Sequence, residues 1–145
     1  MFLEKITEIL QRSSFMLILL IVAVIHVTSY QENIEADLTF DQLMSRIGKT
    51  PLFLITKSYC GYSKKAKTIL NDCNVRFEFI DIDSALNNAQ QFQNDMQARI
   101  GSRTVPQVFK YGKHIGDCSY LVSLVGDGRF DEIFADVPKK SGAEL

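Results

Sequence analysis

The apolar positions of this chain fall into two regimes. Phe15 to Ile25 is an unbroken apolar run, continued by His26 and Val27 to the polar pair Thr28-Ser29. Beyond a polar, acidic stretch from Gln31 to Leu38, apolar residues recur in helical and strand spacing instead. Thr39 opens a helix: Gln42 completes a capping box, and Phe40, Leu43, Met44 and Ile47 share one face, with Gly48 as its stop. Pro51 precedes a strand over Leu52 to Thr56, and a helix runs from Cys60 to about Asn71. Arg76 to Asp81 alternates as a strand with Phe77 and Phe79 on one side. Ser84 to Ile100 reads as one polar helix with a sparse stripe of Leu86, Ala89, Phe92, Met96 and Ile100. Val105 to Tyr111 is a strand that turns at Gly112-Lys113 into His114-Ile115-Gly116. Tyr120 to Val125 and Phe130 to Phe134 close the chain as helices, before a tail from Pro138 to Leu145 expected to be disordered.

This α-β-α-β-α-β-β-α order predicts a small mixed sheet with helices on both faces. The strand–helix–strand units pair in parallel and the terminal hairpin adds antiparallel strands. The expected divisions are 1–12 (a cytoplasmic tail), 13–30 (the apolar segment), 31–38 (a linker), 39–136 (the domain) and 137–145 (the tail).

The charge-free stretch from Ser13 to Gln31 is about long enough to cross a bilayer as one helix. A cleavable signal peptide competes with an anchor, since Val27 and Ser29 resemble a small-residue cleavage site. The long, charge-mixed leader with Glu4, Lys5, Glu8 and Arg12 favours the uncleaved anchor. Lys5 and Arg12 before the span and Glu32, Glu35, Asp37 and Asp41 after it place the domain in a lumen. The expected location is a single-pass membrane protein of the secretory pathway, in the endoplasmic reticulum or Golgi, with secretion after cleavage as the alternative.

Composition narrows the partners. A formal net charge of -1 over 145 residues argues against a nucleic-acid surface. The three cysteines, Cys60, Cys73 and Cys118, do not make a small disulfide scaffold. His26 and His114 have no closely spaced partners and do not read as metal ligands.

Chemistry concentrates at Cys60-Gly61-Tyr62-Ser63. Cys60 lies where a strand ends and a helix begins, and the unpaired amides and partial positive charge of a helix N-terminus favour a thiolate. Lys57, Lys64, Lys65 and Lys67 add positive charge. Open α/β sheets place their sites at such strand ends. Ser63 stands where a C-x-x-C motif has its second cysteine, so the attacking sulfur has no resolving partner two residues away. Cys73 reads as a packing residue at a helix end.

Residues from about Thr39 to Phe134 resemble a glutaredoxin, a thioredoxin-fold protein that uses glutathione. The resemblance is carried by Thr56 to Ser63, Thr104-Val105-Pro106 and Ile115-Gly116-Asp117-Cys118, in this order and spacing. It implies a thioredoxin-like fold with a four-stranded sheet, Cys60 as nucleophile, and a glutathione site of Lys57, Tyr62, Thr104, Val105, Pro106, Cys118 and Ser119. It also implies a cis peptide before Pro106, with the Val105 backbone pairing the cysteinyl part of glutathione. Amides around Cys118 and Ser119 would hold the γ-glutamyl carboxylate, and Arg99 or Arg103 the glycyl carboxylate. Cys118 is either a distant second thiol or a buried turn cysteine. Gly61 stands where such motifs often have proline, and keeps an amide near the sulfur.

The sequence departs from the family at the turn into the last helix. Asp117 stands where a second glycine is usual, and Ser119 and Tyr120 where acidic residues are usual.

Three functions follow from the resemblance. The first is reduction of glutathionylated proteins by a monothiol route through Cys60, which Cys60→Ser abolishes and Ser63→Ala largely spares. The chain would then act as a monomer. The second is a dimer holding a [2Fe–2S] cluster with Cys60 and glutathione from each subunit. A dedicated cluster-delivery role fits less well, since the loop before Cys60 has no extra residues and the chain has no tryptophan. The third is a domain that binds partners without turnover, supported by the altered Asp117-Cys118-Ser119 turn.

Overall fold

In the computed structural model, residues 14–26 and 37–141 are described. The chain divides into two compact units, Met1–Ala36 and Asp37–Leu145. In the first, residues 14–26 form an exposed helix, α1. Among the described residues no helix is long and apolar enough to cross a membrane. The bilayer crossing expected over 13–30 is therefore not supported. The 1–12 tail, the ends of that span and most of the linker lie outside the described residues.

The second unit runs α2 (Phe40–Ile47), β1 (Leu52–Thr56), α3 (Gly61–Asp72), β2 (Glu78–Asp81), α4 (Ile82–Ala85), α5 (Ala89–Ile100), β3 (Gln107–Lys110), β4 (Lys113–Gly116), α6 (Cys118–Gly126) and α7 (Phe130–Ile133). The strands lie in the order β2-β1-β3-β4. β1 and β2 are parallel; β1–β3 and β3–β4 are antiparallel. Strand β1 is apolar at four successive positions because both its faces are covered. Leu52 and Leu54 pack with Ala66, Leu70, Val108 and Leu121 on the α3–α6 side. Phe53 and Ile55 pack with Phe40, Leu43, Phe92 and Phe109 on the α2–α5 side. Helix α2 starts on the expected capping box, in which Thr39 Oγ1 accepts from the Gln42 amide and Gln42 Oε1 accepts from the Thr39 amide.

Several boundaries differ from expectation, each for a local reason. The helix expected over 84–100 is two: Leu86 turns extended to bury its side chain, ending α4, and α5 starts after Asn88. The hairpin turns at Tyr111-Gly112, one residue earlier than read, with both residues at positive φ. Gly112 is required there, because a Cβ would lie 2.8 Å from Gly48 Cα. Gly48 ends α2 in the right-handed conformation rather than the left-handed one. Val105 and Pro106 precede β3 instead of opening it. The tail is not disordered at its start. Val137 is buried, and residues 138–140 bond to the chain at 74–76: the Arg76 amide donates to Pro138 O and the Lys140 amide to Asn74 O. Leu38, assigned to the linker, is buried in the core.

Candidate functional site

The end of β1 is pinned before the site begins. Thr56 Oγ1 donates to Ile80 O at 2.9 Å, and Lys67 Nζ of α3 pairs with Asp81 at 2.9 Å. These contacts hold β1, β2 and α3 together where the 57–59 loop leaves the sheet. Asp83 accepts from the Ser58 amide at 2.8 Å and holds that loop from the other side.

Cys60 caps the N-terminus of α3 with extended backbone, and its thiol is half-buried. Its sulfur lies 3.6 Å from Val105 O, and the Val105–Pro106 peptide is cis, as expected. Burial pushes the Cys60 thiol up. The Ser63 hydroxyl, the Ser63 and Tyr62 amides and the Lys57 charge outweigh it, and the net effect is a thiol below its ordinary value. Ser63 is thus more than a missing cysteine. It is fully buried, its Oγ accepts from the Lys57 amide at 3.3 Å, and its side chain helps to lower the Cys60 thiol.

A prediction follows for Ser63→Ala. Removing the hydroxyl raises the Cys60 pKa, so the alkylation profile with iodoacetamide moves to higher pH. Below the midpoint, each unit of rise removes about tenfold of the thiolate but returns about threefold in nucleophilicity, a net loss of about threefold. Above both midpoints the variant reacts faster, and the two profiles cross. Superimposable profiles would show that Ser63 does not act on the sulfur.

A cavity of about 610 Å³ opens beside Val105, lined by Tyr62, Thr104, Val105, Pro106, Cys118 and Ser119 together with Lys65, Asp117 and Val122. Six of the seven residues named as binding candidates therefore share one cleft, at a volume typical of small-molecule sites. Lys57 does not line it. Its Nζ is held by Gln93 Oε1 at 2.9 Å, and Gln93 Nε2 donates to Arg103 O, which ties Lys57 to the loop before the cis proline. Arg99 is engaged elsewhere, paired with Asp41 at 2.6 Å.

Sequence reasoning missed two residues here. Gln93 reads as one more polar position on α5. Gln107 is almost fully buried; its Nε2 donates to Ser102 Oγ at 3.0 Å and Thr104 O at 2.9 Å, while Oε1 meets His114 Nε2 at 2.6 Å. It fastens the Ser102–Thr104 loop to the hairpin. A glutamine directly after the cis proline was the available signal.

Burial raises both other thiols. It pushes Cys118 up, only partly opposed by Lys65, and Asp117 and Cys60 push it further. Cys118 is buried at the start of α6, where it lines the cleft. Cys73 ends α3, roughly 20 Å along the helix from Cys60, and burial raises it too. Among the described residues no group of three His, Cys, Asp or Glu side chains is placed to hold a metal. A cluster at Cys60 would need ligands from outside this chain.

The far end of the cleft is the N-terminus of α6. Asp117 caps it: Oδ1 accepts from the Ser119 amide at 2.9 Å, the Tyr120 amide at 3.2 Å and the Ser119 hydroxyl. The Ser119 hydroxyl and the two amides hold this carboxyl below the usual carboxylate range. The Ser119 amide, expected to receive a ligand carboxylate, is thus already bonded to a carboxylate of the chain itself.

Comparison with known proteins follows the same geometry. The glutaredoxin family model matches residues 52–115. Glutaredoxin 1 of Rickettsia felis is 32% identical over 89 residues, covering 61% of this chain and 85% of the relative. The chloroplastic monothiol glutaredoxin-S12 of Arabidopsis thaliana is 29% identical over 102 residues, covering 70% of this chain but 57% of that protein. Among solved structures, a buckwheat glutaredoxin–glutathione complex superposes with a TM-score of 0.60 at 29% identity, covering 66% of this chain and 86% of the other. The holo form of glutaredoxin C1 from Populus tremula × tremuloides gives 0.60 at 26% identity, covering 66% and 94%. The mixed α/β fold is thus thioredoxin-like, as in these proteins.

Proposed function

Because this chain belongs to the glutaredoxin family, we propose that it is a glutathione-dependent thiol–disulfide oxidoreductase acting by a monothiol route through Cys60. The observation that carries this reading is a half-buried sulfur with a lowered pKa, beside a cleft of ligand size, with a buried hydroxyl in place of a resolving thiol.

The Cys60 thiolate attacks the glutathione sulfur of a protein–glutathione mixed disulfide. A bond forms between the Cys60 sulfur and glutathione as the protein–glutathione S–S bond breaks, and the protein thiolate leaves and takes a proton. A second glutathione thiolate then attacks the glutathione sulfur on Cys60. The Cys60–glutathione S–S bond breaks as the new one forms, the two glutathiones leave as oxidised glutathione and Cys60 returns to thiolate, so the protein thiol is freed by exchange at the expense of the one incoming glutathione thiol. The Ser63 hydroxyl and the two helix amides stabilise the thiolate as attacking and leaving group. The partners are glutathione and glutathionylated proteins.

The second reading is a glutathione-ligated [2Fe–2S] dimer with Cys60 from each copy. Open space around the Cβ position of Gly61, next to a sulfur that is in no disulfide, favours it. One preparation of the full chain tests both. Release of glutathione from a glutathionylated protein supports exchange. Visible absorbance and a dimer after anaerobic reconstitution with iron, sulfide and glutathione support the cluster.

Location in a secretory-pathway membrane, with the domain lumenal, rests on the sequence of 13–30. Carbonate extraction of membranes from expressing cells is expected to leave the full chain in the pellet, and its release to the supernatant would overturn the anchor.

A further inference from the structure

Exchange at Cys60 as read above requires the cleft to hold the part of glutathione that does not react, and one end of that cleft is chemically unusual. The α6 amides are the natural receptor for an anion, yet they face a carboxylate of the chain. All three bonds to Asp117 land on Oδ1, and Oδ2 takes none of them. The low proton affinity of this carboxyl keeps it charged at neutral pH. An incoming carboxylate would have to displace Asp117 from its cap or sit against its charge. An incoming ammonium meets a fixed anion with a free oxygen. The cation left for a ligand carboxylate is Lys65, which is exposed, lines the same cleft and forms no ion pair among the described residues.

We propose that Asp117 determines specificity in this cleft: it closes the α6 amides to a ligand carboxylate and binds the ligand through its ammonium group. The γ-glutamyl end of glutathione carries both groups, so the two contributions separate with two analogues. γ-Aminobutyryl-Cys-Gly keeps the ammonium and lacks the neighbouring carboxylate. Glutaryl-Cys-Gly keeps the carboxylate and lacks the ammonium.

The experiment measures kcat/KM of the full chain on a model peptide carrying each of the three tripeptides as a mixed disulfide. Loss of the ammonium is expected to cost about tenfold or more, as for a charged hydrogen bond. Loss of the carboxylate is expected to cost under about threefold, as for an exposed ion pair with Lys65. Asp117→Asn keeps a good cap without the charge, so the penalty for losing the ammonium should fall to near unity. Asp117→Gly leaves an accepted N-cap residue and frees the amides, so loss of the carboxylate should become the larger penalty. A wild-type chain more sensitive to the carboxylate than to the ammonium, or an Asp117→Asn variant with undiminished ammonium preference, would overturn the assignment while leaving exchange at Cys60 intact. No turnover of any tripeptide by any variant would overturn the exchange reading and this proposal together.

Discussion

Replacing Cys60 by serine is expected to reduce release of glutathione from a glutathionylated protein to the uncatalysed rate. A loss on the order of 10³-fold or more is typical when a covalent nucleophile is removed. The reason is chemical rather than structural. A serine hydroxyl at the N-terminus of α3 meets the same Ser63 and Tyr62 amides and the same Lys57 charge, but those groups cannot bring an alcohol into the range where its anion is populated at neutral pH. They can do so for a thiol. Cys73→Ser is the matched control. Its sulfur ends α3 and is raised by burial, and the variant is expected to stay within about twofold of the parent. Far-ultraviolet circular dichroism checks that Cys60→Ser is folded. Retention of activity in that variant, or an equal loss in Cys73→Ser, would remove Cys60 from the role of attacking sulfur.

The largest expected effect on stability comes from Gly116→Ala. Gly116 ends β4 with φ of 146°, and a Cβ there would lie 2.7 Å from Tyr120 Cβ and 2.9 Å from its Cγ. The backbone conformation costs a side chain about 1–3 kcal/mol, and overlap in a packed site costs a similar amount, about 1–3 kcal/mol. For a domain of this size the midpoint of thermal unfolding should fall by roughly 10 °C or more. Because the closest overlap is with the Cβ of residue 120, Tyr120→Ala in the same chain should restore little. Gly61→Ala is the counter-case. No atom lies within 4 Å of its added Cβ and its φ is ordinary, so it should be neutral or stabilise by a few tenths of a kcal/mol. Equal midpoints for Gly116→Ala and the parent would show that the turn into α6 relaxes freely. The same overlap explains why a tyrosine is accommodated at position 120: its ring packs over a residue that has no side chain.

What could be read directly from the residues was local. The Thr39–Gln42 box starts α2 because both partners lie within one helical turn. β1 matched to the residue, since five buried positions bounded by Pro51 and the 57–59 loop leave few alternatives. Cys60 at a helix N-terminus was legible because strand, thiol and helix are consecutive. The reading failed where a distant contact overrode the local pattern. Leu86 broke the expected helix to bury itself, and the tail at 138–140 was drawn into pairing with the chain at 74–76. Arg99 faced Asp41 of α2 instead of the cleft.

The sequence by itself determined the element order, the family and the placing of a cysteine where a strand ends and a helix begins. These depend on capping, periodicity and neighbouring residues, which act over a few positions. Only the tertiary structure decided the surroundings of that sulfur. Val105 O comes from 45 positions away to lie beside it, and Gln93 from 36 away to hold Lys57. The roles of Ser63 and Asp117 turned on hydrogen-bond directions that no spacing encodes. A serine at position 63 reads as an absence until it is found buried, bonded to the Lys57 amide and lowering the Cys60 thiol. An aspartate at position 117 reads as a departure from the family until its carboxylate is found bonded to the Ser119 and Tyr120 amides that open α6.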